Sequence, residues 1–248
     1  MNRPFLFRGL PFILLPVLFL FAGCDLKPKP VEGTAELAAE MERQRPRRIR
    51  EQELLLAAEE VGDRIVAVAQ QEMDRVLPAR LQAEGVAGAL RYCRPEHYPS
   101  VDSLAADFGA LVQRVTRRPR NPSNQAQMPA SARLNELENA HATADLQEKG
   151  SLVQRFTQTD LLYTKPILIR DAYCLRCHGE PGQELAPADN LLIKDAYPGD
   201  EATGYKMRQL RGMWLITFPQ REIADYITLK DLREFQARQA RRREQQQN

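Results

Sequence analysis

The sequence predicts an α+β fold, a small antiparallel sheet framed by a long N-terminal helix and a C-terminal helix. Three observations carry this. Residues 51–77 hold one apolar stripe at helical spacing, residues 100–220 hold several short runs of β-forming residues, and the chain reads as helix again from Glu222. A chain of 248 residues, 27% of them charged and 7% aromatic, has the composition of an ordinary folded domain with extensions.

The first residues read as a targeting segment. Arg3 and Arg8 form a positive start, and the thirteen positions from Leu10 to Ala22 are apolar or proline. That length suits a secretory signal of about 7–15 apolar residues and falls short of the roughly 20 a membrane span needs. The segment ends in Phe21-Ala22-Gly23-Cys24, similar to the lipobox of bacterial lipoproteins, in which the cysteine thiol takes a diacylglycerol. Phe21 departs from the usual Leu or Val; the alternative is an ordinary signal peptide or an uncleaved anchor. Residues 1–23 are therefore expected to be a leader, Cys24 the lipidated residue, and the product an exported protein held at the periplasmic side of a bacterial membrane. Removing Arg3 and Arg8 takes the formal charge from +2 to zero, which argues against a nucleic-acid partner. Residues 24–50, with Lys27-Pro28-Lys29-Pro30, read as a tether.

From Glu51 to Leu77 the residues Leu54, Ala58, Val61, Ile65, Val68, Ala69 and Val76 recur at three- and four-residue steps, predicting a helix that Pro78 ends or kinks. A second helical piece is expected from Arg80 to about Cys93, stopped by Pro95. Strands are expected at Leu111–Thr116, Leu152–Phe156, Leu161–Ile169 and Met213–Phe218, with a helix at Ala130–Asp145. The chain beyond Glu222 is expected to be helical and to end as a solvated, fraying tail carrying Arg241-Arg242-Arg243. The main domain is thus read as 51–222, followed by a charged helix or tail at 223–248.

Cys174-Leu175-Arg176-Cys177-His178 has the spacing of c-type haem attachment. Two thiols three positions apart reach the two vinyl groups on one edge of a porphyrin, and the next residue then meets the iron through its imidazole. Such attachment is made outside the cytoplasm, so motif and leader support each other. The competing readings are a redox dithiol, which expects a thioredoxin-like βαβ setting, and a zinc site, which expects further ligands. With Cys24, Cys174 and Cys177 assigned, Cys93 is the remaining cysteine of four. Candidates for a sixth iron ligand are Cys93, His97, His141, Met207 and Met213; the residue chemistry leaves Cys93 and His97 in contention, with Arg91 and Arg94 near the former.

The chain resembles a family of bacterial PAS-like c-haem domains first described from a cyanobacterium. The resemblance spans about residues 55–220 and rests on ordered blocks: Ala87 through Tyr92-Cys93; Arg114-Val115-Thr116 with Arg120-Asn121-Pro122-Ser123-Asn124; Tyr163-Thr164-Lys165-Pro166-Ile167; the haem motif followed by Gly179; and Tyr197-Pro198-Gly199-Asp200 to Gly204-Tyr205-Lys206 with Leu210-Arg211-Gly212. It implies a PAS-like sheet, one covalent haem c, and His178 and Cys93 as the two axial iron ligands. Two departures stand out. Arg94-Pro95-Glu96-His97 replaces the usual sequence after the cysteine, which keeps His97 as a rival, and Arg208-Gln209 replaces Gly-Asp before Leu-Arg-Gly. Arg120 and Arg211 are candidate partners for the haem propionates, since guanidinium pairs well with carboxylate; the bland alternative is that they brace backbone carbonyls. The functional expectation is a haem-based redox or ligand sensor passing its signal to a protein partner, against a membrane-tethered electron carrier and, further off, a haem-free dithiol oxidoreductase. The sequence contains no catalytic constellation, so an enzyme is not expected.

Overall fold

The computed structural model describes residues 48–142 and 150–247. The leader, Cys24 and most of the proline-rich tether lie outside the described residues, as does the side chain of His141. The predicted stripe becomes the first half of a long helix, α1 (Glu51–Tyr92), with Leu54, Ala58, Val61, Ile65 and Ala69 buried. Pro78 lies inside α1 without ending it, and the break falls at Gly85, whose φ of 65° and ψ of −163° leave the helical region. The expected stop at Pro78 is therefore corrected to Gly85. A proline costs the helix one donor and some crowding, but a positive φ takes the chain out of the helix altogether.

A short turn, Pro95–His97, leads into α2 (Pro99–Ala106), which the sequence reading missed. The expected strands form at β1 (Leu111–Val115), β2 (Leu152–Arg155), β3 (Asp160–Leu168) and β4 (Leu210–Pro219), with α3 (Ala130–Ala142) before β2. Two further helices precede β4: α4 (Ala172–His178) and α5 (Pro187–Ala196), the second also unforeseen. The last helix, α6 (Gln220–Gln247), starts directly from β4 and runs through Gln247, where the sequence suggested fraying.

The four strands form one antiparallel sheet in the order β1-β4-β3-β2. Period-two alternation divides its faces. Trp214, Ile216 and Phe218 of β4, with Leu161 and Tyr163 of β3, join the core beneath α1, α2 and α6. Met213 points the other way and packs with Ala130, Leu134 and Leu137 of α3. A smaller core joins the second half of α1 (Leu77, Leu81, Val86, Ala89) to Leu185 and to Ile193 of α5. The molecule thus has the α+β architecture the sequence predicted, with a long helix at one end of the chain and another at the other.

Candidate functional site

The site is built where the second half of α1, the start of α4 and the sheet meet. Asp171 precedes α4 in an extended conformation, and about two helical turns follow. Residues three and four apart share a helical face, so Cys174, Cys177 and His178 come together on one side of α4. All three border a cavity of about 560 Å³, within the range of about 300–1,000 Å³ common for cofactor sites. Leu77, Leu81, Ala89, Leu90 and Cys93 line it from α1 and its end, and Pro166, Ile167 and Ile169 from β3 and the loop that follows. A cavity with this apolar lining, joined by polar side chains such as Asp74, Arg114 and Lys165, is suited to a mostly apolar ring carrying polar substituents.

The imidazole of His178 is held by its backbone neighbours. Its Nδ1 lies 2.6 Å from the Ala202 carbonyl oxygen. A carbonyl only accepts, so Nδ1 carries the hydrogen and donates, which leaves the Nε2 lone pair available to a metal. Burial, with Arg211 and Arg120 adding positive charge, holds the His178 pKa well below the ordinary histidine value. The ring is therefore neutral near pH 7, the form that ligates iron.

The loop behind His178 is itself fastened. The Tyr205 amide donates to the His178 carbonyl at 2.8 Å, and the Gly204 amide to that of Gly179 at 2.8 Å. The fully buried Asp200 carboxylate accepts from the Ala202 amide at 2.9 Å and pairs with Arg120 at 3.1 Å. Tyr205 stands edge-on to His178 with centroids 6.2 Å apart, and the Arg118 and Arg211 guanidinia lie 4.4 and 5.4 Å from its ring centre. The Tyr197-to-Tyr205 block thus carries the carbonyl that orients the imidazole, a role the sequence reading did not assign to it.

The two motif thiols are not activated. Burial raises Cys174, and burial pushes Cys177 up to about 11 although Arg120 pulls the other way. Both, with Cys93, are free thiols. Among the described residues no group of three or more His, Cys, Asp or Glu converges to hold a bare metal ion. The sulfurs and the imidazole instead line the walls of a space larger than an ion.

Cys93 caps the end of α1, its amide donating to Ala89 at 2.9 Å, and lines the same cavity as the motif. His97 does not: its side chain is 64% exposed and stands 3.8 Å from Asp102. It lines only a neighbouring polar cavity of about 140 Å³, which Cys93, His178 and Arg211 also border. Met207 is exposed, and Met213 is fully buried on the α3 side of the sheet. Of the two charges expected near Cys93, Arg91 pairs with Glu84 at 3.3 Å and Arg94 lies exposed beside the small cavity.

Arg120 and Arg211 both line the large cavity, together with a third guanidinium that had no assigned role, Arg114. Arg120 is braced by Asp200 and donates to the Cys177 carbonyl at 2.6 Å. Arg211 donates to Thr116 Oγ1 at 3.0 Å and to the Arg118 carbonyl at 3.1 Å. Buried Nε atoms of Arg114 and Arg211 have no hydrogen-bond partner. Burial, with Arg114 and Arg120 nearby, lowers Arg211 to about 10, the signature of a cationic cluster short of negative charge. Burial also works against the Arg114 charge, but Glu96, 3.6 Å away, and the nearby Cys93 sulfur hold its pKa above the ordinary value. A haem fits this donor set: an apolar slot, two thiols and an imidazole on one wall, a further sulfur facing the same space, and unpaired guanidinium N–H groups for two carboxylates.

No curated protein matches the chain in sequence. The crystal structure of the cyanobacterial heme-protein Tll0287 is similar at 25% identity and a TM-score of 0.45, over 65% of this chain and 96% of that one. Residues 41–219 match the Tll0287-like family, and over that span, which is most of its length, the chain belongs to the Tll0287-like family.

Proposed function

We propose that the chain is a c-type haem protein with one haem bonded to Cys174 and Cys177, His178 and Cys93 as axial ligands, and a redox-responsive signalling role at the periplasmic side of a bacterial membrane. The observation that carries the reading is the shared cavity: motif, neutral imidazole, Cys93 and the arginines Arg114, Arg120 and Arg211, the first and last with an unpartnered buried Nε, all line it. Family membership supports haem as the occupant, because the protein that gives the family its name is a heme-protein. When bound, the haem supplies a one-electron couple at iron. The chain's own residues do the rest. Ala202 fixes the imidazole tautomer, Arg114 lines the cavity beside Cys93, and Arg211 with Arg120 offers donors to the propionates.

A signalling role is favoured over an electron carrier by the position of Cys93. It ends the helical segment that begins at Gly85, so a change in its bonding acts on the break in α1. The raised pKa values of Cys174 and Cys177 count against a dithiol oxidoreductase, which needs a thiolate near neutral pH. Lipidation at Cys24 would tether the protein.

The test is expression with the c-haem maturation machinery, followed by a pyridine haemochrome spectrum and intact mass. One covalent haem is expected, with a low-spin ferric spectrum of thiolate type. Cys93→Ala should keep the haem and lose that spectrum, and an unaltered ferric spectrum would rule Cys93 out. Persistence of the thiolate bond in the reduced protein would favour the electron carrier. Cys24→Ala should move the protein from the membrane to the soluble fraction.

A further inference from the structure

One sulfur donor on the cavity wall is left unused by the His178 and Cys93 assignment. We propose that Met73 is an alternative iron ligand that takes the place of Cys93 on one-electron reduction, so that the site exchanges thiolate for thioether. This rests on the haem reading above.

Met73 lines the large cavity from α1, as Cys93 does from its end. It is partly buried and packs on the same small core as Cys93 and Cys177, beside Leu77 and Leu81. It also touches the larger core under the sheet, and so sits where the two cores meet. The other methionines among the described residues are elsewhere: Met128 and Met207 are exposed, and Met213 is sealed behind the sheet. An unbranched thioether with three rotatable bonds adapts its reach without moving the backbone.

The chemistry supplies a direction for the exchange. An anionic thiolate favours the more positive ferric iron, whereas a soft neutral thioether favours the ferrous state and raises the potential. In the exchange the bond from Cys93 Sγ to iron breaks with its electron pair staying on sulfur. A lone pair on Met73 Sδ forms the new bond. The electron comes from a one-electron donor, a low-potential redox protein in the cell or dithionite in the test. The released sulfur has a place prepared for it, because Cys93 also borders the small polar cavity, which Arg114 lines as well.

The experiment compares haem-loaded wild type with Met73→Leu. Reduced wild type should be low-spin and show the upfield methyl resonance of an iron-bound methionine in its proton NMR spectrum. Reduced Met73→Leu should turn high-spin, bind CO at least tenfold faster, and show a lower midpoint potential, while its ferric spectrum keeps the thiolate signature. Identical ferrous spectra, CO rates and potentials in the two proteins overturn the proposal, as does a reduced wild type lacking the methionine signal, a measurement that needs no variant. Absence of a pyridine haemochrome in wild type would instead strike the haem reading itself.

Discussion

Gly62 sets how closely α1 lies on the sheet. A Cβ built there would stand 2.4 Å from the ring of Tyr163, a side chain with no exposed surface whose hydroxyl donates to Asp63 at 2.7 Å. Gly62→Ala must therefore push the helix off the sheet or the ring out of the core. Overpacking of this kind costs about 2 kcal/mol, and we expect a lower denaturation midpoint with an unchanged denaturant slope. Arg208 presents the opposite case. It occupies φ 69° in the turn before β4, where its amide donates to the Ile169 carbonyl at 2.7 Å. The left-handed region costs a non-glycine residue about 1 kcal/mol. Arg208→Gly should recover part of that as a higher thermal midpoint, and a fall would show that the exposed arginine side chain holds the turn. Residue chemistry made part of the site legible in advance. Cys174, Cys177 and His178 announce themselves because attachment demands that spacing within five residues of chain. Arg114 and Ala202 carry no such mark: an arginine on a strand and a loop carbonyl acquire their roles only when distant segments meet, and a backbone oxygen has no residue type to read. His97 was an equal rival by chemistry, and only its outward direction separates it from Cys93.

Element by element, the sequence pattern was strongest where burial is sustained. The stripe on α1 survives because one face of the helix lies in the core, and β3 and β4 because apolar residues are buried on both faces of the sheet. Two short helices were missed, although Pro99 and Pro187 each occupy a first-turn position that favours helix initiation. With eight and ten residues, they are too short for periodicity to speak. The break in α1 was misplaced for a related reason, since Pro78 and Gly85 both weaken a helix and sequence alone does not say which the packing uses. A Cβ at Gly85 would meet nothing within 4 Å, so Gly85→Ala probes the backbone alone. We expect a loss of about 1 kcal/mol and a changed ferric spectrum, because the segment ending at Cys93 would have to turn. The helices α1 and α6 are joined at Glu60, which accepts from Lys230 at 2.8 Å and from Tyr226 at 3.0 Å. The Lys230 hydrogen bond holds the Glu60 carboxyl below the ordinary carboxylate value despite some burial. A depressed carboxylate pKa contributes stability above the unfolded value near 4.5, and that contribution is lost as pH falls through the folded value. Protection factors in the first turns of α6, corrected for the intrinsic exchange rate, should thus fall below about pH 4.5 in wild type. Glu60→Gln should show the lower protection already at neutral pH and little further change on acidification.

At the scale of the whole molecule, the two helical halves of α1 belong to different cores. The first half is sealed against the sheet with α2 and α6, and the second is tied to α4 and α5 through a small cluster around Leu81, Ala89, Leu185 and Ile193. The large cavity lies between these bodies, and Tyr173 of α4 reaches across to Asp74 of α1 with a 2.8 Å hydrogen bond. Leaving that space without its apolar filling forfeits contacts on every wall, and it leaves the buried Nε atoms of Arg114 and Arg211 without a partner. The second core gives more of the lining, with Leu77, Leu81, Ala89 and Cys93 against Val66 and Trp214 from the first, so both penalties fall mainly on the second. In the double variant Cys174→Ala with Cys177→Ala, which cannot form the thioethers, we therefore expect loosening that is regional rather than uniform. Amide protection should fall across residues 77–93 and 172–196 and hold across residues 54–69 and the strands. Added phosphate should restore part of the lost protection by supplying charge to the arginines, whereas chloride at equal ionic strength should do less. Uniform loss along the chain would mean that the two cores unfold as one and that the cavity is not the seam between them.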